Sequence, residues 1–195
     1  MAQVFLKSQN IKNMKEQLMN YLRIFPDEKD LFSLLKKQVL ENQNIFSRKN
    51  LEGHVTASGL VVSPDKKVLV VFHNKLKKFL QPGGHIEKDD QNIIFSAMRE
   101  VREETNLNNI ELCSWCLDNN SPIMIDTHRI PENKQRNEGE HYHHDFMFIF
   151  ITKEKNITLD RNEVSDFCWM SIDEVIKEDS VVAKGLKKAI ILGIA

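Results

Sequence analysis

The chain is poor in the features that commit a protein to a special environment. Cysteine is scarce, with three in 195 residues. So low and odd a count excludes a disulfide framework and fits a reducing, cytoplasmic setting. No apolar run approaches the ~18 residues that cross a bilayer. The opening stretch, MAQVFLKSQNIKNMKEQL, has no continuous apolar core of signal-peptide type, which argues against export. Charge of one sign is missing as well: 27 Lys and Arg stand against 28 Asp and Glu, a net charge of −1. Without a global basic field, a stable nucleic-acid complex is not expected. A small phosphorylated substrate needs only local charge and stays open. Internal repeats and low-complexity segments are absent.

What is present is ordinary for a globular protein, 41% hydrophobic and 28% charged. At about 150 residues per domain, the length predicts one core with an appendage. Residues 1–50 read as a helical extension and residues 51–195 as the main domain. Ile11, Met14, Leu18 and Leu22 recur at helical spacing. Phe25-Pro26-Asp27 breaks that helix, Asp27 is placed to cap a second one, and Leu31, Leu34, Leu35 and Val39 give the second its apolar stripe. The expectation is a helical hairpin packed on the core.

From His54 the texture changes. Residues 55–62 and 68–72 read as strands joined by a turn, and residues 81–84 as a loop. Residues 93–104 read as a helix with Ile94, Ala97, Met98 and Val101 on its apolar face. Strands are expected at 112–117, 123–128 and, wholly buried, 146–151, with a polar loop over 131–139. Ser171 and Glu174 have capping-box spacing ahead of the last helical region. Helices at both ends of a strand-rich middle predict a layered α/β or α+β domain.

The chemistry concentrates in Arg99-Glu100-Val101-Arg102-Glu103-Glu104-Thr105. On a helix Glu100 and Glu104 share a face, and Glu103 sits beside both. Three carboxylates on one turn repel one another. A divalent cation would offset that repulsion, and oxygen-only ligands point to Mg²⁺ or Mn²⁺. Glu100 and Glu104 are the first choice for ligands, with Glu103 a third ligand or a base. Arg99, four residues before Glu103, can orient it. Gly84, ahead of the helix, lets backbone approach a ligand and can turn a carbonyl toward a metal. The bland alternative is a solvated acidic patch.

This segment resembles the Nudix box, which reads G-x5-E-x7-R-E-U-x-E-E-x-G-U with U aliphatic. Gly84, Arg99, Glu100, Val101, Glu103, Glu104 and Leu107 match. The spacing from Gly84 to Arg99 is one residue longer than the pattern, and Asn106 replaces the second glycine. A loop insertion there is cheap, and Asn tolerates the left-handed conformation that ends a helix. The first acidic position falls to Glu87, Asp89 or Asp90. GHVTAS at 53–58, FLQPGGHIE at 79–87, Asp126-Thr127-His128 and the segment 140–145 are similar to a bacterial Nudix subgroup with a helical N-terminal extension. With Trp169, the likeness spans residues 46–180. It implies a Nudix-like α/β/α sandwich around a mixed β-sheet. It also implies a pyrophosphohydrolase that cleaves a nucleoside diphosphate linked to another group, with Mg²⁺ on the box glutamates.

The histidines form a second theme. On a strand His141, His143 and Asp145 point to one side and His144 to the other, and Asp126 and His128 make another same-face pair. With His85 and Glu87 from the glycine segment, these residues are substrate-binding candidates. A His-x-His transition-metal site is the alternative. Lys78, in a lysine run with Lys75 and Lys77, can steer phosphates or be merely solvated. Cys113 and Cys116 read as buried strand residues rather than a redox or zinc pair. Two rivals to a hydrolase follow: a catalytically silent Nudix-fold module that binds a nucleotide and regulates a partner, and a His-rich transition-metal protein. A homodimer is compatible with the chain.

Overall fold

The structure is a computed structural model that describes residues 2–134 and 138–194, with side chains from residue 10 onward. The extension consists of helix α1 (Ala2–Ile24), a 3-10 turn (Pro26–Phe32) and helix α2 (Ser33–Leu40). Strands β1 (His54–Ser63), β2 (Lys67–His73), β3 (Lys78–Leu80) and β4 (Gly83–His85) lead into helix α3 (Ile93–Thr105). Then come β5 (Glu111–Leu112), α4 (Ser114–Asn119), β6 (Met124–Ile130), β7 (His141–Ile151), β8 (Val164–Ser171), α5 (Ile172–Val175) and α6 (Val181–Ile191). Three residues of the expected polar loop, 135–137, lie outside the described residues.

All strands join one mixed sheet. Its axis is β1, buried along its whole length, beside β7 in parallel register, with His54 opposite His143 and Thr56 opposite Asp145. The other edge of β1 pairs antiparallel with β2 near one end and with β4 near the other. The far edge of β7 carries β6 and β5. Strand β1 therefore has protein on both faces, which explains its apolar run.

Alternation along β1 assigns the faces. A Cβ added at Gly59 would lie 2.3 Å from Val101 Cγ2, so the Ala57–Gly59 side lies against α3. A Cβ at Gly185 of α6 would lie 2.8 Å from Met147 Sδ and 3.8 Å from Leu60. Helix α6 thus covers the opposite face, and the sandwich expected from the resemblance is formed. Phe146, Phe148 and Phe150 of β7 are fully buried in the core.

Helix α3 follows its sequence signals. Asn92 caps it, its Oδ1 accepting from the Phe95 backbone N–H at 2.8 Å. Asn106 closes it with φ 56°, in the glycine role that its left-handed tolerance allows. Five expectations need correction. Asp27 caps nothing: Pro26 starts a 3-10 turn, and α2 begins after Phe32 with no side-chain cap. Leu31 is exposed, and Phe32 takes its place beside the expected Leu35 in the buried stripe. Residues 83–85 form a short strand, because β1 offers them an unpaired edge. Of the expected strand 112–117 only Leu112 is extended, in the two-residue β5. There the Cys113 sulfur accepts from the Cys116 N–H at 3.4 Å and starts α4. Ser171 precedes α5 but makes no side-chain cap bond.

The extension packs on the domain through specific polar contacts. Asn20 Nδ2 donates to the Asn119 and Asn120 carbonyls, both at 3.1 Å. Lys188 of α6 pairs with Glu28 and lies 4.3 Å from the Phe25 ring centroid. Gln38 of α2 donates to the Gly53 carbonyl at 2.9 Å, while its Oε1 meets His144 Nε2 at 2.8 Å. The element expected as an appendage thus reaches the base of β1 and β7.

Candidate active site

One turn of α3 gathers the carboxylates. Glu100 and Glu104 are 8% and 4% exposed and face the sheet, whereas the Glu103 side chain is 54% exposed at the rim. The glycine of β4 makes this placement possible: a Cβ at Gly84 would lie 2.7 Å from Cδ and both oxygens of Glu100. Burial raises the Glu100 pKa to about 7, against the pull of Arg99. Burial, with the nearby Glu100 and Glu163 charges, raises Glu104 to about 8; the Gly83 backbone N–H offsets only part of this. Glu104 Oε2 is buried with no hydrogen-bond partner. A buried acceptor without a donor is costly. Carboxylates held so close together need protons or a cation.

Arg99 organises the turn. Its Nε and Nη2 donate to Asp90 Oδ1 and Oδ2 at 2.9 and 3.0 Å, and Nη2 also to the His85 carbonyl at 2.9 Å. Its Nη1 donates to Glu100 Oε1 at 2.9 Å and Glu103 Oε2 at 2.7 Å. All five guanidinium donors are used. Burial alone would lower the Arg99 pKa, but the Asp90 and Glu100 carboxylates more than reverse that. Of the three acids that compete for the first box position, Asp90 meets the arginine. Asp90 also accepts from the Glu87 backbone N–H at 2.7 Å. Glu87 and Asp89 remain exposed. Gly84 to Asp90 keeps the spacing of the pattern, so the extra residue lies between Asp90 and Arg99.

The histidines assemble on the other face of the sheet. The β1–β7 register sets His54 beside His143, the β1–β4 register sets His85 opposite Thr56, and the β6–β7 register sets His128 opposite His143. The His143 ring centroid lies 4.7 Å from His54, 5.0 Å from His141, 5.1 Å from His85 and 5.7 Å from His128. Burial lowers the pKa of His85 to about 4 and of His143 to about 2, with the neighbouring rings adding to the effect. At the edge, His128 Nδ1 meets Asp126 Oδ2 at 2.7 Å. Burial opposes protonation of His128, but the Asp126 contact raises its pKa. Asp145 faces the same side but is buried, its oxygens taking the hydroxyls of Thr56 and Ser58 at 3.0 and 2.5 Å. His144 points the other way, between Gln38 and Thr127. Lys78 is exposed on β3 rather than in a loop, and its charge reaches His128.

Two participants were missed from sequence. His54 was visible only as the first of a polar series, His54, Thr56 and Ser58, at every second position of an apolar strand. Glu163, next to β8, had no sequence signal, yet its charge acts on both Glu100 and Glu104. Trp169 is half-buried and packs on the core.

Comparison with known proteins bears on the family and the fold. A family model described as NUDIX domain matches residues 53–189. A protein of Lactococcus lactis subsp. cremoris, "Probable DHNTP pyrophosphohydrolase", is 30% identical over 149 residues, 75% of this chain and 84% of that protein. The E. coli dihydroneopterin triphosphate pyrophosphohydrolase superposes with a TM-score of 0.54 at 16% identity, over 71% of this chain and 95% of the other. A NUDIX-family hydrolase from Clostridium perfringens gives a TM-score of 0.51 at 25% identity, over 71% and 97%. The chain belongs to the NUDIX family. It is a hydrolase of that family, acting on phosphoanhydride bonds. Among the described residues no helix is long and apolar enough to cross a membrane.

Proposed function

We propose that the protein is a divalent-metal-dependent pyrophosphohydrolase of a small nucleotide-like diphosphate, with Mg²⁺ or Mn²⁺ as its ion. The observation that carries this is the pair Glu100 and Glu104: two buried carboxylates on one helix face, one oxygen of Glu104 without a partner. A hard cation fits that all-oxygen set, with Glu103 and the Gly84 carbonyl as further donors. When bound, such an ion neutralises the bridging phosphates and lowers the pKa of its water.

The chain's own residues supply the rest. Arg99 holds Glu103 at the rim, where a half-exposed carboxylate can take the proton of an attacking water. Through Asp90 and the His85 carbonyl the same arginine fixes the loop against the helix, so Glu100 and Glu103 keep their relative positions. His85, Glu87, Lys78, Asp126 and His128 would meet the substrate at the loop and the strand edge. His141, His143 and Asp145 would shape the floor beside them. The helical extension of residues 1–50 serves residues 51–195 as a support for the strands that carry these groups. Dihydroneopterin triphosphate is the first substrate to try, since the Lactococcus and E. coli proteins carry it in their names.

The test is pyrophosphate or phosphate release from dihydroneopterin triphosphate, nucleoside triphosphates, dinucleoside polyphosphates and nucleotide sugars, with and without Mg²⁺ and Mn²⁺. One class should turn over only with metal, and Glu104→Gln should lose that rate. Metal-dependent binding of a nucleotide with no turnover of any class would favour the silent binding module.

A further inference from the structure

We propose that His54, His141 and His143 form a second metal site, distinct in chemistry from the carboxylates, that takes a divalent transition-metal ion of the zinc type. The three rings come from β1 and β7 and offer nitrogens that all lie within 4.8 Å of one another. The closest pair, His141 Nε2 and His143 Nε2, is 3.1 Å apart. Two ligands about 2.0–2.1 Å from a tetrahedral Zn²⁺ stand ~3.3 Å from each other. The separation seen, which an N–H···N bond between the two rings also satisfies, is close to that of two imidazoles on one ion, and the third ring has to turn toward them to complete the set.

The outer hydrogen bonds prepare the lone pairs. His141 Nδ1 is 2.8 Å from the Gly139 carbonyl, and His54 Nδ1 is 3.2 Å from the Asn50 carbonyl. A carbonyl only accepts, so Nδ1 carries the proton in both rings and Nε2 is left as a donor of electrons. This is the arrangement by which a metal-bound histidine is oriented from behind. His54 is 1% exposed, and its Nε2 has no hydrogen-bond partner. A buried lone pair with nothing to accept is costly, and a cation removes that cost. His85 adds a fourth imidazole at the edge: its ring lies 5.2 Å from His54, and its Nε2 is likewise buried and unpartnered. A fourth coordination position can go to His85, to water or to a substrate oxygen.

The donor set excludes the ion proposed for α3. Neutral imidazoles suit zinc and its neighbours and hold Mg²⁺ poorly, whereas carboxylates prefer the reverse. Asp145, which the spacing of the segment offers as the third ligand, is occupied by two hydroxyls, and His54 takes its place. The three rings lie on the sheet face opposite the α3 carboxylates; His141 and His143 are also placed at the substrate floor, so Zn²⁺ binding is read separately from hydrolysis.

The decisive experiment is calorimetric titration of the metal-stripped full chain with Zn²⁺, with Mg²⁺ in excess to keep the carboxylates filled. Co²⁺ absorption would run alongside to report the ligand field. One equivalent of Zn²⁺ should bind, with the visible bands of four-coordinate Co²⁺. His143→Asn, at a half-buried position, should weaken Zn²⁺ by about 100-fold or more and abolish those bands, while Glu104→Gln leaves both intact. His54→Asn should act likewise, and His143→Asn alone decides if that variant fails to fold. The proposal is overturned if the parent chain takes up no stoichiometric Zn²⁺. It is equally overturned if His143→Asn binds Zn²⁺ as the parent does, or if Glu104→Gln abolishes binding. A loss of hydrolysis in His143→Asn with Zn²⁺ binding unchanged would also sink the metal site and leave the histidine as a substrate contact.

Discussion

The two faces of the central sheet solve opposite problems with titratable groups. On one face, Glu100 and Glu104 sit on a single turn of α3 and are pushed toward their neutral form by burial, with pKa values of about 7 and about 8. On the other face, His54, His141 and His143 come from two strands, and the same burial lowers the pKa of His54 and His143. Neutrality leaves the carboxylates holding protons that a hard cation must displace. It leaves the imidazoles holding lone pairs that a softer cation can use directly. The contrast shows that burial alone does not define a site; the chemistry of the buried atom decides what it waits for. The faces meet at one residue, His85, whose carbonyl anchors Arg99 while its ring joins the histidines.

The largest effect should come from the acidic face. Glu104→Gln is expected to lower metal-dependent hydrolysis by about 10²–10⁴-fold, measured as pyrophosphate release, with the fold intact by circular dichroism. A variant keeping more than half the parent rate would break the assignment of that face to catalysis. Next is the Arg99 hub. Asp90 is 3% exposed and takes two of the five guanidinium donors, so Asp90→Asn should lose on the order of 3 kcal/mol in denaturant unfolding, as broken buried pairs do. A loss below about 1 kcal/mol would make that pairing incidental.

The pH dependence of stability separates the faces more finely. Glu100 and Glu104 have folded pKa values above the ordinary carboxylate value, so the folded state binds more protons than the unfolded one between about pH 4.5 and 8. Their contribution is therefore full below the unfolded pKa and lost as pH rises through the folded values. His85 and His143 have folded values of about 4 and about 2, below that of free histidine. Their contribution is present above about pH 6.5 and lost as pH falls. Thermal melts in chelator should trace a dome. Glu104→Gln should flatten its alkaline arm, His143→Asn its acid arm, and Mg²⁺ should raise the melting temperature more at pH 8 than at pH 5.5. An alkaline arm unchanged in Glu104→Gln would separate that slope from the carboxylates. The smallest effect belongs to Lys78. Lys78→Ala should raise KM about twofold at low ionic strength and change nothing at high salt, because an exposed charge steers weakly and is screened. An equal rise at both ionic strengths would mean direct contact instead of steering.

Legibility followed sequence distance. The carboxylate turn spans six residues, 99–104, and helical periodicity alone set Glu100 and Glu104 on one face. The Asn106 end of α3 was equally local. Where reading failed, a partner distant in sequence had decided the outcome. Residues 83–85 became a strand because β1 left an edge beside them. Residues 114–119 are the exception, closed as a helix by their own flanks, the Cys113 cap and the left-handed Asn120. Ser171 and Glu174 had the right spacing without the bond, since backbone pairing with β2 already holds Ser171.

The amino-acid sequence by itself determined the family, the acidic helix and the character of its ion, because these rest on spacings within one turn and on the charge of the side chains. Which acid meets Arg99, where the longer box absorbs its extra residue, and that His54 belongs with His141 and His143 were decided only by the tertiary structure. The parallel register of β1 on β7 brings together residues 89 positions apart, such as His54 and His143. No local pattern encodes such a register; it is selected by burying two apolar strands at once, with their polar residues turned to a common side.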